Sequence, residues 1–369
     1  MPPETRSNDV NLESALGQML QGDPVLRGLQ RWKNPGLSLG ILVALLGLVH
    51  GLLLPVLYGH WRTSGGVLGA LDDWPYLVIM MGIVPLLAVY YARQPRAIHA
   101  VFEGVAQRIG QSTAAAEFAA DAARPLGWRG WLWAAVLVAS VQVVLFVLDL
   151  QRITTPIWLT VNAVMIASAQ PLRFAAFYCL LLILVRQVLT LIGLNRFFAR
   201  FAVEIAPLHP DRAGGLRVVG DYVLSGALLL ALVGLTFGMT LMRGQSNPEV
   251  LTPEFYAELV VYLAAIPVIF LLPLWTAHLR MQTAKEKLLM EVAEQFDQEY
   301  RTLLGNLRKN KLNLEDVSRV EAVQKVYQIA AGSPEWPFNA EILSKFGAAV
   351  LLPIFAPLGV DLLVNFVGR

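Results

Sequence analysis

Arg186 is the residue whose type and setting most require a chemical explanation. It stands within the apolar run Phe174 to Leu194, which is long enough to cross a bilayer. An arginine at mid-span costs roughly 2.5–3.5 kcal/mol on insertion scales, so it does not face lipid alone. His50 in the first apolar run and Gln142 in the third are expected at similar depth. Arg186 is therefore expected to donate to Gln142, to His50 or to a carbonyl near a proline. The competing use is a wet path in which Arg186 attracts an anion or sets selectivity. Gln187 and Thr190 would extend that path, Thr190 lying one turn from Arg186 on the same face.

Asp221 and Glu258 open the fifth and sixth apolar runs, each in the first turn of its expected helix. A carboxylate there is favoured by the helix dipole. Rings of such acids at the two mouths of an oligomer would favour cations, the opposite of what Arg186 would select. The expected intramembrane polar set is thus Arg186, Gln142, His50, Thr190, Asp221 and Glu258. A second candidate is the turn His209-Pro210-Asp211-Arg212-Ala213-Gly214-Gly215-Leu216. Asp211 can form an Asx-turn, and Gly214 and Gly215 permit unusual backbone angles. Successive N–H groups there would suit an anion or small ligand, with His209 and Arg212 beside it. The plainer reading is a tight turn leading into a span. No Lys-Ser/Thr pair follows the glycines, so it is not a Walker loop.

The five histidines, His50, His60, His99, His209 and His278, are scattered. No His-Glu-x-x-His, Gly-x-Ser-x-Gly or Ser-His-Asp pattern occurs. No metal, no cofactor and no enzymatic activity are expected. The single cysteine, Cys179, excludes an intramolecular disulfide.

The elements that must position these residues are membrane helices. Of 369 residues, 56% are hydrophobic and 15% charged, against roughly a quarter charged in soluble domains. The apolar excess lies in blocks of bilayer-spanning length. The expected fold is all-α: a polytopic helical membrane protein with six transmembrane helices, at about 36–58, 75–91, 130–148, 172–194, 218–242 and 255–277. Residues 1–35 form an N-terminal tail with two amphipathic patterns, the second made by Val25, Leu26, Leu29 and Trp32. They lie at the membrane surface or against the protein itself. Residues 36–277 form the membrane domain and 278–345 a helical region outside it. Residues 346–369 are apolar but carry Pro353, Pro357 and Asp361, which suggests a re-entrant or interfacial segment rather than a seventh span.

Loops carry signals too. Ile98, Val101, Phe102, Val105 and Ile109 make a helical stripe, so the second span is expected to run on beyond the bilayer. Residues 157–166 are expected as a short interfacial or re-entrant helix. Leu289, Val292, Phe296, Tyr300, Leu303 and Leu307 make a coiled-coil-like pattern, read equally well as subunit pairing or as packing within one chain. Val317, Val320, Val326 and Ile329 are expected on one side of a following helix. Gly36, Gly40, Gly47, Gly51, Gly234 and Gly238 allow close helix approach.

Lys and Arg fall on alternate loops, which places the N-terminus and residues 278–345 in the cytoplasm. Compact loops suit a bacterial inner membrane. A net charge of +2 offers no field for nucleic acid. The expected function is a homo-oligomeric ion channel or pore-type protein in the lipid bilayer. The alternatives are a membrane-embedded scaffold or sensor whose cytoplasmic helices bind a partner protein, or a monomeric transporter.

Overall fold

A computed structural model of the protein describes residues 23–107, 130–151, 157–201, 216–246, 248–309, 313–333, 335–336, 344–348 and 350. The first amphipathic pattern of the tail, Ile109, the turn 209–215 and the end of the chain lie outside these residues.

The described elements are helices, with two isolated bridges, Ser64 to Val67 and Leu68 to Ile157. α1 (Pro24–Leu29) starts at Asp23, whose carboxylate accepts from the amides of Val25 and Leu26. α2 (Pro35–Leu48) passes through a π-helical turn, Val49–Leu53, into α3 (Leu54–Leu57). α4 (Trp74–Val78) passes through a second π-helical turn, Ile79–Ile83, into α5 (Val84–Ala106). Then come α6 (Gly130–Gln151), α7 (Ala163–Arg200), α8 (Arg217–Ser246), α9 (Pro253–Arg308) and α10 (Leu314–Ala331).

Five stretches are long and apolar enough to cross a bilayer: Pro35–Leu57, Trp74–Val105, Trp131–Leu148, Ala163–Arg200 and Arg217–Gly244. Their outward faces carry Leu57, Trp133 and many other large apolar side chains. That surface suits acyl chains and not water. The protein is an all-α membrane protein. The expected sixth span is not among the five: its described apolar part is the shorter Phe255–Ile266, although α9 continues as helix well beyond it.

Glycine sets the first helix pair. A Cβ on Gly47 would lie 2.7 Å from the Met80 carbonyl oxygen, and one on Gly51 2.7 Å from the Leu77 side chain. Gly36 faces Arg93 and Val89. The stripe therefore lets α2 lie along the α4–α5 helix. A Cβ on Gly40 would come still nearer, 2.5 Å from the Val89 side chain, but the tightest approach to backbone falls where Gly47 meets the second π-helical turn. Gly234 meets the Tyr262 hydroxyl and the Val350 carbonyl, so residues reaching Val350 enter between α8 and α9. Phe346 and Val350 are buried in the core of the bundle, while Ser344, Lys345 and Ala348 between and before them stay exposed.

Two expectations change and an open one is narrowed. The fourth helix begins at Ala163, not near 172, and absorbs most of the expected short helix 157–166. What remains of that helix is one 3₁₀ turn, Trp158–Thr160. Part of the stripe from Leu289 to Leu307 packs within the chain, one of the two readings it allowed: α10 folds back along α9, with Val292 buried and the Asn306 amide donating to Asp316 at 3.0 Å, while Tyr300 and Leu307 stay exposed. On α10, Val320 is partly buried while Val317, Val326 and Ile329 are exposed, so the four do not share a buried side. The expected extension of the second span is present as α5, with Ile98, Val101, Phe102 and Val105 in the core.

Candidate functional site

Two buried Asp–Arg–Tyr clusters lie on the α4–α5 helix, one at its start beside Tyr76 and one near its middle beside Tyr91. Near the middle Arg186 Nη2 donates to Asp23 at 2.8 Å, with both side chains about as inaccessible as core residues, 5% and 4% exposed. The Tyr91 hydroxyl also donates to Asp23, and the Arg186 guanidinium lies 4.8 Å from the Tyr91 ring centroid. Asp23 is thus a helix cap, a counter-ion and a phenol acceptor at once. Pro24 at the first helical position and Leu26, buried in the core, hold α1 in place. The second amphipathic pattern of the tail therefore packs on the protein itself.

At the start Arg243 makes a two-pronged contact with Asp73, at 2.6 and 2.8 Å. Its guanidinium lies 4.8 Å from the Tyr76 ring centroid. The buried Trp158 indole donates to Asp73 at 3.2 Å. Asp73 reaches this position through the folded loop before it. Gly65 and Gly66 turn with φ of 58° and 80°, and the Trp158 amide bonds to the Leu68 carbonyl at 2.9 Å. Thr63 donates its amide and hydroxyl to Asp72, which holds that carboxyl below its ordinary value.

The six expected polar residues do not form one path. The partner of Arg186 is Asp23, neither Gln142 nor His50. His50 belongs to the Asp73 end, 2.8 Å from the Ser168 hydroxyl and 3.1 Å from the Tyr76 hydroxyl. From Ser168 to Arg186 is about 27 Å along α7 at ~1.5 Å per residue, which separates His50 from Arg186 by most of a bilayer. The Gln142 amide is buried with no hydrogen-bond partner among the described residues. The Thr190 hydroxyl donates back to the Arg186 carbonyl at 2.8 Å. Asp221 lies in the second turn of α8, exposed, 3.6 Å from Arg217. Glu258 likewise lies in the second turn of α9, not the first. His209, Asp211, Arg212, Gly214 and Gly215 lie outside the described residues.

Between the clusters the bundle encloses a cleft of about 280 Å³, walled by α7, α8, α9 and the α4–α5 helix. The second π-helical turn supplies Ile79, Met80 and Ile83 to the wall. Such turns recur at functional sites, because the inserted residue displaces the helix face. Most of the lining is apolar. Arg173, Arg243 and Glu258 stand at the Asp73 end, with Thr236 and Thr240 below them. Asp23, Asp73 and Arg243 were not singled out by the sequence. Asp23 and Asp73 each carry a usable signal, an acid one or two positions before a proline that opens a helix.

No group of three or more His, Cys, Asp or Glu suited to a metal ion occurs among the described residues.

No family model matches the chain. No curated protein and no solved structure matches it either.

Proposed function

We propose that the protein is a membrane-embedded sensor. An intramembrane cleft receives a ligand, and a helical hairpin outside the bilayer passes its occupancy to a partner. The observation that carries this reading is α9. Phe255 and Glu258, near its start, line the cleft. The same helix runs for 56 residues, about 84 Å at ~1.5 Å per residue, and ends in the hairpin with α10. Pro267 and Pro273 lie in this helix between the cleft and the hairpin and are its points of bending, so a displacement at the cleft reaches the hairpin through them. The joint is braced where the helix leaves the bundle. Arg280 donates to the Ala199 carbonyl at 2.8 Å, and Lys285 contacts Glu335 at 2.9 Å.

In this reading the hairpin and Asp23 face the cytoplasm, which the Lys and Arg bias of the loops supports, and the compact loops suit a bacterial inner membrane. The hairpin exposes Met290, Tyr300, Leu307 and Leu314, apolar side chains that a partner would cover. The channel reading is less well supported, because the buried arginines are neutralised within one chain and α10 takes up much of the α9 stripe. A self-associated form would use the same exposed residues.

The test uses purified full chain in vesicles. The reading predicts no passive ion flux above protein-free vesicles. It also predicts altered hydrogen exchange in residues 281–331 when Ala176→Trp fills the cleft. Selective ion flux abolished by Arg186→Leu would replace the sensor with a channel.

A further inference from the structure

We infer that the cleft takes a lipid-derived amphiphile with an uncharged, hydroxyl-bearing head and a single apolar chain, entering sideways from the bilayer. This deepens the sensor reading and rests on it for its purpose, though not for the binding itself.

The walls set the chain. From Tyr76 to Leu87 the cleft follows about 16 Å of helix at ~1.5 Å per residue, lined on that side by Ile79, Met80, Ile83 and Val84. Its volume of about 280 Å³ sits at the lower edge of ligand pockets and suits one chain. Phe177, 36% exposed, belongs both to the lining and to the lateral surface, so the cleft opens toward acyl chains.

The polar end sets the head. Arg173 and Arg243 bring two positive charges, Glu258 brings one negative charge, and Asp73 supplies a second through its contact with Arg243. Among the described residues these charges sum to zero, so a carboxylate or an ammonium head would add a charge that none of them balances. The hydroxyls of Thr236 and Thr240 both donate to carbonyls on their own helix, at 3.1 and 2.9 Å. Their oxygens remain acceptors. A head that donates a proton, an alcohol, fits this set.

The experiment compares three photoreactive probes of one chain length, a long-chain alcohol, the matching fatty acid and the matching quaternary ammonium. Each is added to full chain in phosphatidylcholine vesicles, and cross-linked peptides are mapped by mass spectrometry. The alcohol should label 76–87, 173–180 and 232–243 above the lipid-facing stretch 35–57. Ala176→Trp should cut that labelling about tenfold, the effect of losing roughly 1.4 kcal/mol of binding, and Val261→Trp on the lipid-facing side of α9 should not. Val233→Phe serves as a second filling variant should Ala176→Trp fail to fold. Stronger labelling by the fatty acid or the ammonium probe would overturn the uncharged head. Equal labelling of all lipid-facing segments would overturn the site. Cross-linking of a photoreactive residue at Phe355 to the cleft walls, with the alcohol excluded, would make the chain's own end the occupant and also overturn it. Cleft-specific labelling by the alcohol without any change in residues 281–331 would leave this inference standing and remove the sensor reading.

Discussion

The Arg186 guanidinium and the Asp23 carboxylate meet 2.8 Å apart, in a buried contact between the middle of the chain and a six-residue helix near its start. Nothing else supplies Arg186 with a counter-ion among the described residues, and Asp23 also caps α1 and accepts from Tyr91. Removing either partner leaves a buried charge, which costs roughly 3–5 kcal/mol. Asp23→Leu and Arg186→Leu are each expected to destabilise the protein by that order in detergent unfolding. The double variant Asp23→Leu/Arg186→Leu should regain most of the loss. Strictly additive losses would show that the two side chains do not act as a pair.

Gln142 offers the opposite case. Its buried amide has four hydrogen-bonding sites and no partner among the described residues. An unsatisfied buried polar group costs about 1–3 kcal/mol. Gln142→Leu is therefore expected to keep or raise the unfolding midpoint. A clear fall would mean that Gln142 is bonded in the bilayer, to lipid, to water or to a second copy.

The glycine stripe of α2 grades its own substitutions. Gly47→Ala places a methyl group 2.7 Å from the Met80 carbonyl oxygen, where backbone must yield, whereas Gly36→Ala meets nothing nearer than 3.4 Å. Overpacking of the first kind costs about 1–3 kcal/mol. Gly47→Ala should lower thermal stability by that order while Gly36→Ala leaves it within a few tenths of a kcal/mol. Similar effects at both positions would contradict the close approach at the π-helical turn.

Outside the bilayer, the turn carrying Trp336 is fastened to α9. The Trp336 ring stacks on His278 with centroids 3.9 Å apart, His278 Nδ1 lies 2.7 Å from the Glu335 carbonyl, and Lys285 bonds the Glu335 carboxylate. The Lys285 hydrogen bond and charge hold that carboxyl below its usual value of 4.5. For an acid depressed by folding, the stabilisation is complete above the unfolded value and is lost as pH falls through the folded one. Trp336 emission, isolated by comparison with Trp336→Phe, should therefore stay constant down to that usual value and change only below it. Lys285→Gln should move the transition upward. A transition unaffected by Lys285→Gln would assign it to another group.

The sequence made the need of Arg186 for a partner legible, because an arginine among apolar residues has few options. The identity of the partner was not legible, for two physical reasons. Asp23 lies 163 positions away, on a helix of six residues that hydrophobic spacing alone cannot place inside a bundle. The fourth helix also begins at Ala163 and not near 172, which moves Arg186 from mid-span toward the end that Asp23 occupies. His50 was misplaced in depth for the same reason: its level is set by Ser168 and Tyr76. The close packing expected of Gly36, Gly40, Gly47 and Gly51 is present, since small residues at helical spacing have one obvious use. The α9 stripe was legible as a stripe, but periodicity does not say whether the partner helix belongs to the same chain. Here α10 does.

The central claim is that α9 transmits the state of the cleft to the hairpin. The most direct measurement is the distance between spin labels on Arg96→Cys, at the end of the bundle, and Leu307→Cys, at the tip of the hairpin. The native Cys179 is buried and stays unlabelled. With the cleft free and with it filled by Ala176→Trp, the account predicts two different distance distributions, and no difference for Val261→Trp. Identical distributions in all three proteins would contradict it.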